Sequence, residues 1–341
     1  MRKYLLPKEG TFYKANLHCH SSVSDGGYTP LQIKEMYQKK GYSIVAYTDH
    51  DVLIPHTELA DENFLPLNGY EIEINDETRS YADQLKVKTC HLCLIALEPD
   101  NIKQVCFHRS KYLFCNAVKY AEQVQFDESK PDYERHYSHG GINDIIKIGR
   151  ENGFFVTYNH PAWSLENYND YMGYNNMHAM EIFNSDSSTA GHCDYNEKEY
   201  DDMLRGGKRI FCIAADDNHG WVSCFGGFTM IKAEKLDYKT VTTALLNGNF
   251  YASQGPEIYD LWYEDGEIHI TCSDVQRIIL NTDSRHVGIV RADEGKTVNE
   301  ASFKVHENDI YVRITIADEK GRYANTNAYF TDELFAMGDG E

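Results

Sequence analysis

The sequence predicts an α/β fold, built on a parallel sheet or barrel across residues 1–255 and followed by a small antiparallel β module across 256–341. Two observations predict it. Through the first 255 residues, short apolar runs alternate with amphipathic stretches, the pattern of strands linked by crossover helices. From about Pro256 onward the period shortens to two, as in strands with one face in a core and one in water. At ~150 residues per domain, a chain of 341 residues suits either two domains or one barrel with an appendage.

The buried strands read, in order, as 14–17, 42–47, 65–70, 88–97, 154–158, 179–183, 209–214 and 228–232. Helices fall between several of them. Thr29 caps one, with Pro30 at its first position, Gln32 completing a capping box and Gly41 as its stop. A second spans 142–152, with Ile145, Ile146 and Ile148 apolar and Gly153 at its end. Asp237 caps a third, which carries Val241, Ala244 and Leu245 on one face and ends at Gly248. In the module, strands are expected at 267–271, 277–280, 301–305 and 310–316, a β-sandwich-like unit. Residues 98–140 break the rhythm: Cys106, Phe107, Tyr112, Leu113 and Phe114 suggest a helical insertion. It reads either as a surface elaboration with its own small core or as a lid over an active site.

Composition narrows the function classes. Hydrophobic residues at 42% and charged residues at 25% are ordinary for a globular chain, which sets disorder aside. The 53 acidic against 33 basic residues give a net charge of −20, a field that repels nucleic acid and anionic membranes. Residues 1–10 lack the ~7–15-residue apolar run of a signal peptide, and no run of ~18 apolar residues suggests a membrane span. Nine cysteines, an odd number without secretory context, read as buried free thiols. The expectation is a cytoplasmic protein with no nucleic-acid or membrane partner.

The chemistry lies in the placement of histidines and carboxylates. His18-Cys19-His20 follows a strand, and residues two apart on an extended segment share a face. Both imidazoles can therefore reach one metal while Cys19 faces away. Asp25 stands in a Ser-Asp-Gly-Gly turn suited to swinging a carboxylate inward. Later strands run into Thr48-Asp49-His50-Asp51, Glu71-Ile72-Glu73, Asn159-His160-Pro161 and Asp216-Asp217-Asn218-His219, while His91 lies within an apolar strand. Five strands thus terminate in His, Asp or Glu, and in parallel α/β barrels that rim gathers catalytic and metal-binding side chains. Cys90 and Cys93 form a lone CxxC whose side chains face opposite ways on a strand, and no Walker loop or GxSxG elbow is present.

Together, Asn16-Leu17-His18-Cys19-His20, Ser24-Asp25-Gly26, Thr48-Asp49-His50, Gly69-Tyr70-Glu71, His91-Leu92, Asn159-His160-Pro161 and Asp217-Asn218-His219 resemble the polymerase and histidinol phosphatase (PHP) family of metal-dependent hydrolases. Tyr251-Ala252-Ser253-Gln254-Gly255-Pro256 and the terminal module are similar to a free-standing subgroup. The resemblance implies a distorted barrel of seven parallel strands, with up to three divalent metals (Zn, Mn or Fe) at its C-terminal rim. By that resemblance His18, His20, Glu71 and Asp217 hold the first metal. A second shares Glu71 and takes His91 and His160, and a third takes Asp25, His50 and His219.

An imidazole and carboxylate set without thiolate suits Zn²⁺, Mn²⁺ or Fe²⁺ over Ca²⁺. Three dications outweigh Asp25, Glu71 and Asp217, leaving a local cationic hole that favours a compact anion such as phosphate. The expected activity is hydrolysis of a small phosphate ester, monoester or diester, by a metal-activated hydroxide. Glu71 bridges the metals that lower a water's pKa toward ~7, and Asp217 shuttles a proton. Hydrolysis of an amide, carbamate or carboxylic ester by the same cluster is the alternative; a DNA-processing nuclease or polymerase-associated module fits the acidic charge less well. His192, Asn184 and Arg135 are the candidate substrate contacts, with Arg109 and Lys111 as further cations and Trp163 and Trp221 as candidate pocket walls.

Overall fold

A computed structural model describes residues 2–76 and 85–336; the last five residues of the expected module, 337–341, lie outside them. Seven strands wall the barrel: β1 (Thr11–Asn16), β2 (Tyr42–Tyr47), β3 (Leu65–Asn75), β4 (Thr89–Ala96), β5 (Phe154–Tyr158), β6 (Ala179–Asn184) and β7 (Phe211–Ala215). They pair in sequence order. The ring is drawn together at one end, where Cys19 bridges Asn218 and the Asp217 N–H donates to the His18 carbonyl at 2.9 Å. Small and branched side chains fill the interior, among them Ala15, Ile44, Leu67, Ile95, Phe155, Ala179 and Ile213. The barrel is therefore a packed core, closed below its rim.

One strand departs from the expected all-parallel barrel. β4 is antiparallel to both β3 and β5. The cause is where the chain turns: β3 runs on through Asn75, which pairs with Thr89 at the start of β4, so no crossover to the opposite end intervenes. Glu71 consequently lies within a continuous strand rather than at its end, and His91 enters the same rim from the beginning of its strand.

The helices follow their caps. α1 (Pro30–Gln38) has the Thr29–Gln32 capping box and stops before Gly41, whose φ of 78° few other residues adopt. α2 (His139–Glu151) is capped by Ser138, earlier than expected, and buries Ile142, Ile145 and Ile146. α3 (Glu197–Arg205) follows β6, and α4 (Tyr238–Leu246) is capped by Asp237 and buries Val241, Ala244 and Leu245. No helix among the described residues is long and apolar enough to cross a membrane.

The insertion is not the helical unit expected. Residues 103–104 pair with 125–126, and between them the chain forms irregular backbone and 3₁₀ turns at Cys115–Gln123. Cys106, Tyr112 and Cys115 have φ of 54°, 70° and 48°, left-handed conformations that interrupt an α-helix. A small core of Phe107, Ala117 and Val124 packs on Val23 and Val52 of the barrel loops.

Beyond β7, β8 (Phe228–Ala233) lies antiparallel to β1 and leads into β9 (Phe250–Ser253). Seven further strands complete two facing sheets: β10 (Ile258–Glu264), β11 (Glu267–Val275), β12 (Arg277–Thr282), β13 (Gly288–Arg291), β14 (Val298–Lys304), β15 (Tyr311–Ala317) and β16 (Tyr323–Thr326). β10, β11 and β14 form one sheet with Lys3–Tyr4; β12, β13, β15 and β16 form the other. Ile258, Leu261, Ile268, Ile278, Leu280, Ile314 and Ile316 pack between them. β16 also pairs with β9, so hydrogen bonding runs unbroken from barrel to module. All of β15 is buried, because its other face meets α3: Arg313 donates to both oxygens of Asp201 at 2.8 Å.

Candidate metal centre

The nine expected ligands converge on one end of the barrel. His18 and His20 lie just past β1 with their Nε2 atoms 3.1 Å apart, and Cys19 turns away into a core with Tyr37 and Tyr42. Glu71, fully buried, stands among five imidazoles, one of them His20, whose Nε2 is 3.3 Å from Oε2. Its Oε1 lies 3.1 Å from His18 Nε2, 3.1 Å from His91 Nδ1 and 3.4 Å from His160 Nε2; its Oε2 lies 3.3 Å from His50 Nδ1. Asp217 Oδ1 is 3.2 Å from His18 Nε2 and 3.0 Å from His20 Nε2. To one side, Asp25 Oδ2 is 3.3 Å from His219 Nε2 and 3.8 Å from His50 Nε2.

Two aspartates outside the expected ligand set hold the loops carrying these groups. Asp49 accepts from the Ser21 and Ser24 amides and hydroxyls, all between 2.8 and 3.1 Å, which fixes the turn presenting Asp25. Gly26 in that turn approaches so closely that a Cβ would stand 2.4 Å from the His20 carbonyl oxygen. Asp216 accepts from the Phe225, Gly226 and Gly227 amides and from the Tyr37 hydroxyl, anchoring the chain on either side of His219.

The donor set fits cations. His50 Nδ1, Glu71 Oε2, both nitrogens of His91 and Asp217 Oδ1 are buried without a hydrogen-bond partner, although neighbouring donor atoms stand about 3 Å away. A buried polar atom left so is costly unless something satisfies it. The electrostatics agree. Burial opposes charge on His91, yet Glu71 and Glu73 raise its pKa to about 10; His219, beside Asp186 and Asp25, is pushed up to about 11. Burial and the neighbouring His20 push His50 down to about 3. Burial also opposes charge on Glu71, but the surrounding imidazoles hold it well below the usual carboxylate range. Protons supply the positive charge that these carboxylates attract, and dications can take that place by displacing them.

Above the cluster lies a cavity of about 720 Å³. The insertion contributes Tyr112, Leu113, Phe114 and Arg135 to its wall, and Trp163 stands opposite near His91 and His160. Of the expected substrate contacts, Arg135 reaches this wall, but it is already engaged: Nη2 is 2.5 Å from Asp51 and Nη1 donates to the Glu73 carbonyl at 2.8 Å. Asn184 is fully buried behind the cluster and does not line the cavity; its Nδ2 is 3.1 Å from Asp217 Oδ2. His192 is exposed on a loop outside the lining, as is Trp221, while Arg109 pairs with Asp132 at 2.7 Å and Lys111 with Glu134 at 2.8 Å. Sequence reasoning missed Glu181, which is buried against His18. Its signal was available: a carboxylate inside the apolar run Ala-Met-Glu-Ile-Phe must find partners if that run is a core strand.

No protein-family model and no curated protein matches the chain. Among solved structures it is similar to a two-domain protein from Bacteroides vulgatus containing a predicted PHP-like metal-dependent phosphoesterase. That alignment has 15% identity and a TM-score of 0.45, over 95% of this chain and 98% of the other. It is also similar to an amidohydrolase from Chromobacterium violaceum with bound sulfate (18% identity, TM-score 0.39, 60% of this chain and 87% of that one). A lesion-specific endonuclease from Pyrococcus furiosus aligns at 18% identity and a TM-score of 0.39, over 69% of this chain and 56% of its own.

Proposed function

We propose that the protein is a metal-dependent hydrolase of small phosphate esters, monoester or diester. The observation that carries this reading is the buried array of unpartnered imidazole and carboxylate atoms at the floor of the cavity. Donor atoms of His18, His20, Glu71 and Asp217 lie within 4.8 Å of one another, as do those of His50, Glu71 and His91, and those of His20, Asp25, His50 and His219. These groupings support up to three cation positions; the first is the set implied by the resemblance, the second carries His50 where His160 was expected, and the third adds His20 to Asp25, His50 and His219. Zn²⁺, Mn²⁺ and Fe²⁺ suit the donors. Bound there, such ions supply Lewis acidity toward a phosphoryl oxygen and acidify a water toward neutral pH.

The chain's own residues do the rest. Glu71 offers its two oxygens to opposite sides of the cluster, so one side chain holds adjacent positions in register. Asp217 is on the cavity wall, where it can accept the proton released by water. Phe114, packed 4.8 Å from the His50 ring, and Trp163 screen the floor from bulk solvent, strengthening every charge interaction inside. With net charge −20 around it, the cavity admits a compact phosphate more readily than a polynucleotide.

The test is one metal-loaded preparation offered phosphomonoesters, cyclic and linear phosphodiesters, aryl carboxylic esters, and single-stranded DNA. Hydrolysis confined to phosphate esters of small alcohols is expected. Turnover of the carboxylic esters without action on phosphate esters overturns the proposal, and preferential cutting of DNA replaces it with a nuclease.

A further inference from the structure

Glu181 lies on β6, on the same face of the strand as Ala179 of the barrel interior and directly beneath the cluster. It is fully buried, and every oxygen is engaged. Oε1 is 2.7 Å from His18 Nδ1; Oε2 accepts the His160 N–H at 3.0 Å and Asn184 Nδ2 at 2.9 Å. The same Asn184 nitrogen is 3.1 Å from Asp217 Oδ2. Two expected metal ligands, arriving from β1 and β5, thus meet one carboxylate directly and a third, from β7, reaches it through Asn184, while Glu181 itself does not line the cavity.

We propose that Glu181 is a positioning residue that decides which nitrogen of His18 is presented to the cluster and locks His160 and Asp217 in register with it. This deepens the metal-dependent reading and rests on it for its consequence in metal binding. A carboxylate only accepts, so the Nδ1 facing Glu181 bears a proton, and the ring presents Nε2 to Glu71 Oε1 and Asp217 Oδ1, where a bound cation would replace the proton those carboxylates also attract. The imidazole is thereby oriented, with Nε2 toward the cluster, before any cation arrives. His160 and Asp217 have φ of 27° and 53°, positive values uncommon outside glycine. Glu181 holds the amide of the first, and Asn184, tied to Glu181, holds the carboxylate of the second. No other described side chain contacts all three neighbourhoods by hydrogen bonds.

Glu181→Gln preserves shape but lets only one oxygen accept. That oxygen is claimed by the His160 N–H and Asn184, so the new amide N–H faces His18 Nδ1 and drives the ring proton to Nε2, into the cluster. Zinc affinity of the variant, measured by competition with a chromophoric chelator, is expected to fall ~10–100-fold. The protonation of His18 Nδ1, read from imidazole ¹⁵N spectra of metal-free protein, is expected in the wild type and lost in the variant when the ring is neutral. Wild-type zinc affinity in Glu181→Gln overturns the proposal. So does an unprotonated His18 Nδ1 in the wild type, a measurement that needs neither the variant nor a metal. If the wild type binds no zinc while Nδ1 is protonated, the hydrolase reading fails and the role of Glu181 in setting the ring stands.

Discussion

Individual residues in this protein are held in states that water would not allow them. His160 is the clearest among the ligands: a left-handed backbone and a buried ring 3.4 Å from Glu71. His160→Asn removes one donor and leaves its neighbours facing a gap. Metal content by elemental analysis should fall below the wild-type value and turnover should drop by more than ~10-fold; unchanged content and rate would contradict the ligand role. Away from the cluster, His178 accepts the Val156 N–H at 2.9 Å and stacks on Phe155 at 4.7 Å. Burial, with the charge of Arg150 in support, lowers its pKa to about 4. The unfolded chain takes up a proton near pH ~6.5 that the folded chain refuses. This group's stabilisation is therefore complete above that pH and declines as pH falls toward 4, by roughly 3 kcal/mol at most. Urea unfolding at pH 7 and 4.5 should show a larger loss for wild type than for His178→Gln.

At the scale of elements, the reversed strand β4 explains what the insertion is for. β4 ends beside the start of β5, since Ala96 pairs with Phe154, so a short link would have sufficed. The chain instead climbs to the rim, lines the cavity and returns through α2. A buried ion pair fastens this excursion: Arg135 and Asp51 side chains are 3% and 1% exposed, and Tyr112 stacks over the guanidinium at 4.3 Å. Arg135→Met leaves the Asp51 carboxyl, whose pKa burial already raises to about 6, without its buried partner, a loss expected to cost about 3–5 kcal/mol. The double variant Asp51→Asn/Arg135→Met should recover part of that cost in denaturant titrations while KM for the preferred ester still rises, because Tyr112 and Phe114 lose their anchor. Recovery of stability with KM unchanged would place the insertion outside substrate binding.

For the whole molecule, continuity matters more than the apparent division into barrel and module. The β9–β16 pairing and the contacts of Arg313 with Asp201 and Glu197 join them. Arg313→Met strands the buried Asp201 carboxylate and removes a partner of the part-exposed Glu197, and should lower stability by several kcal/mol, about as much as breaking other buried pairs. A ligand that binds only the folded chain stabilises it by mass action, ~2.7 kcal/mol at a hundredfold excess over Kd. Removing metal with a strong chelator should therefore lower Tm and abolish turnover together, and readdition of Zn²⁺, Mn²⁺ or Fe²⁺ should restore both. A Tm indifferent to chelator in an active protein would speak against the metal centre.

Much of this was legible before any coordinates. Cap residues Thr29 and Asp237, the alternation that turns Cys19 away from His18 and His20, and the gathering of His50, His160 and Asp217 just past strand ends are local properties of the chain. Local sterics and side-chain parity decide them, so the sequence by itself determined the shared face of His18 and His20 and where the helices capped by Thr29 and Asp237 start. It could not determine that β4 runs backward, that the insertion forms no α-helix before α2 begins at His139, or that Arg135 is consumed by Asp51. Parity is the same for a strand read in either direction, and a charged side chain shows its partner only when distant segments meet. Those choices belong to tertiary structure, where the landing point of each connection and the need to pair every buried charge outweigh local preference.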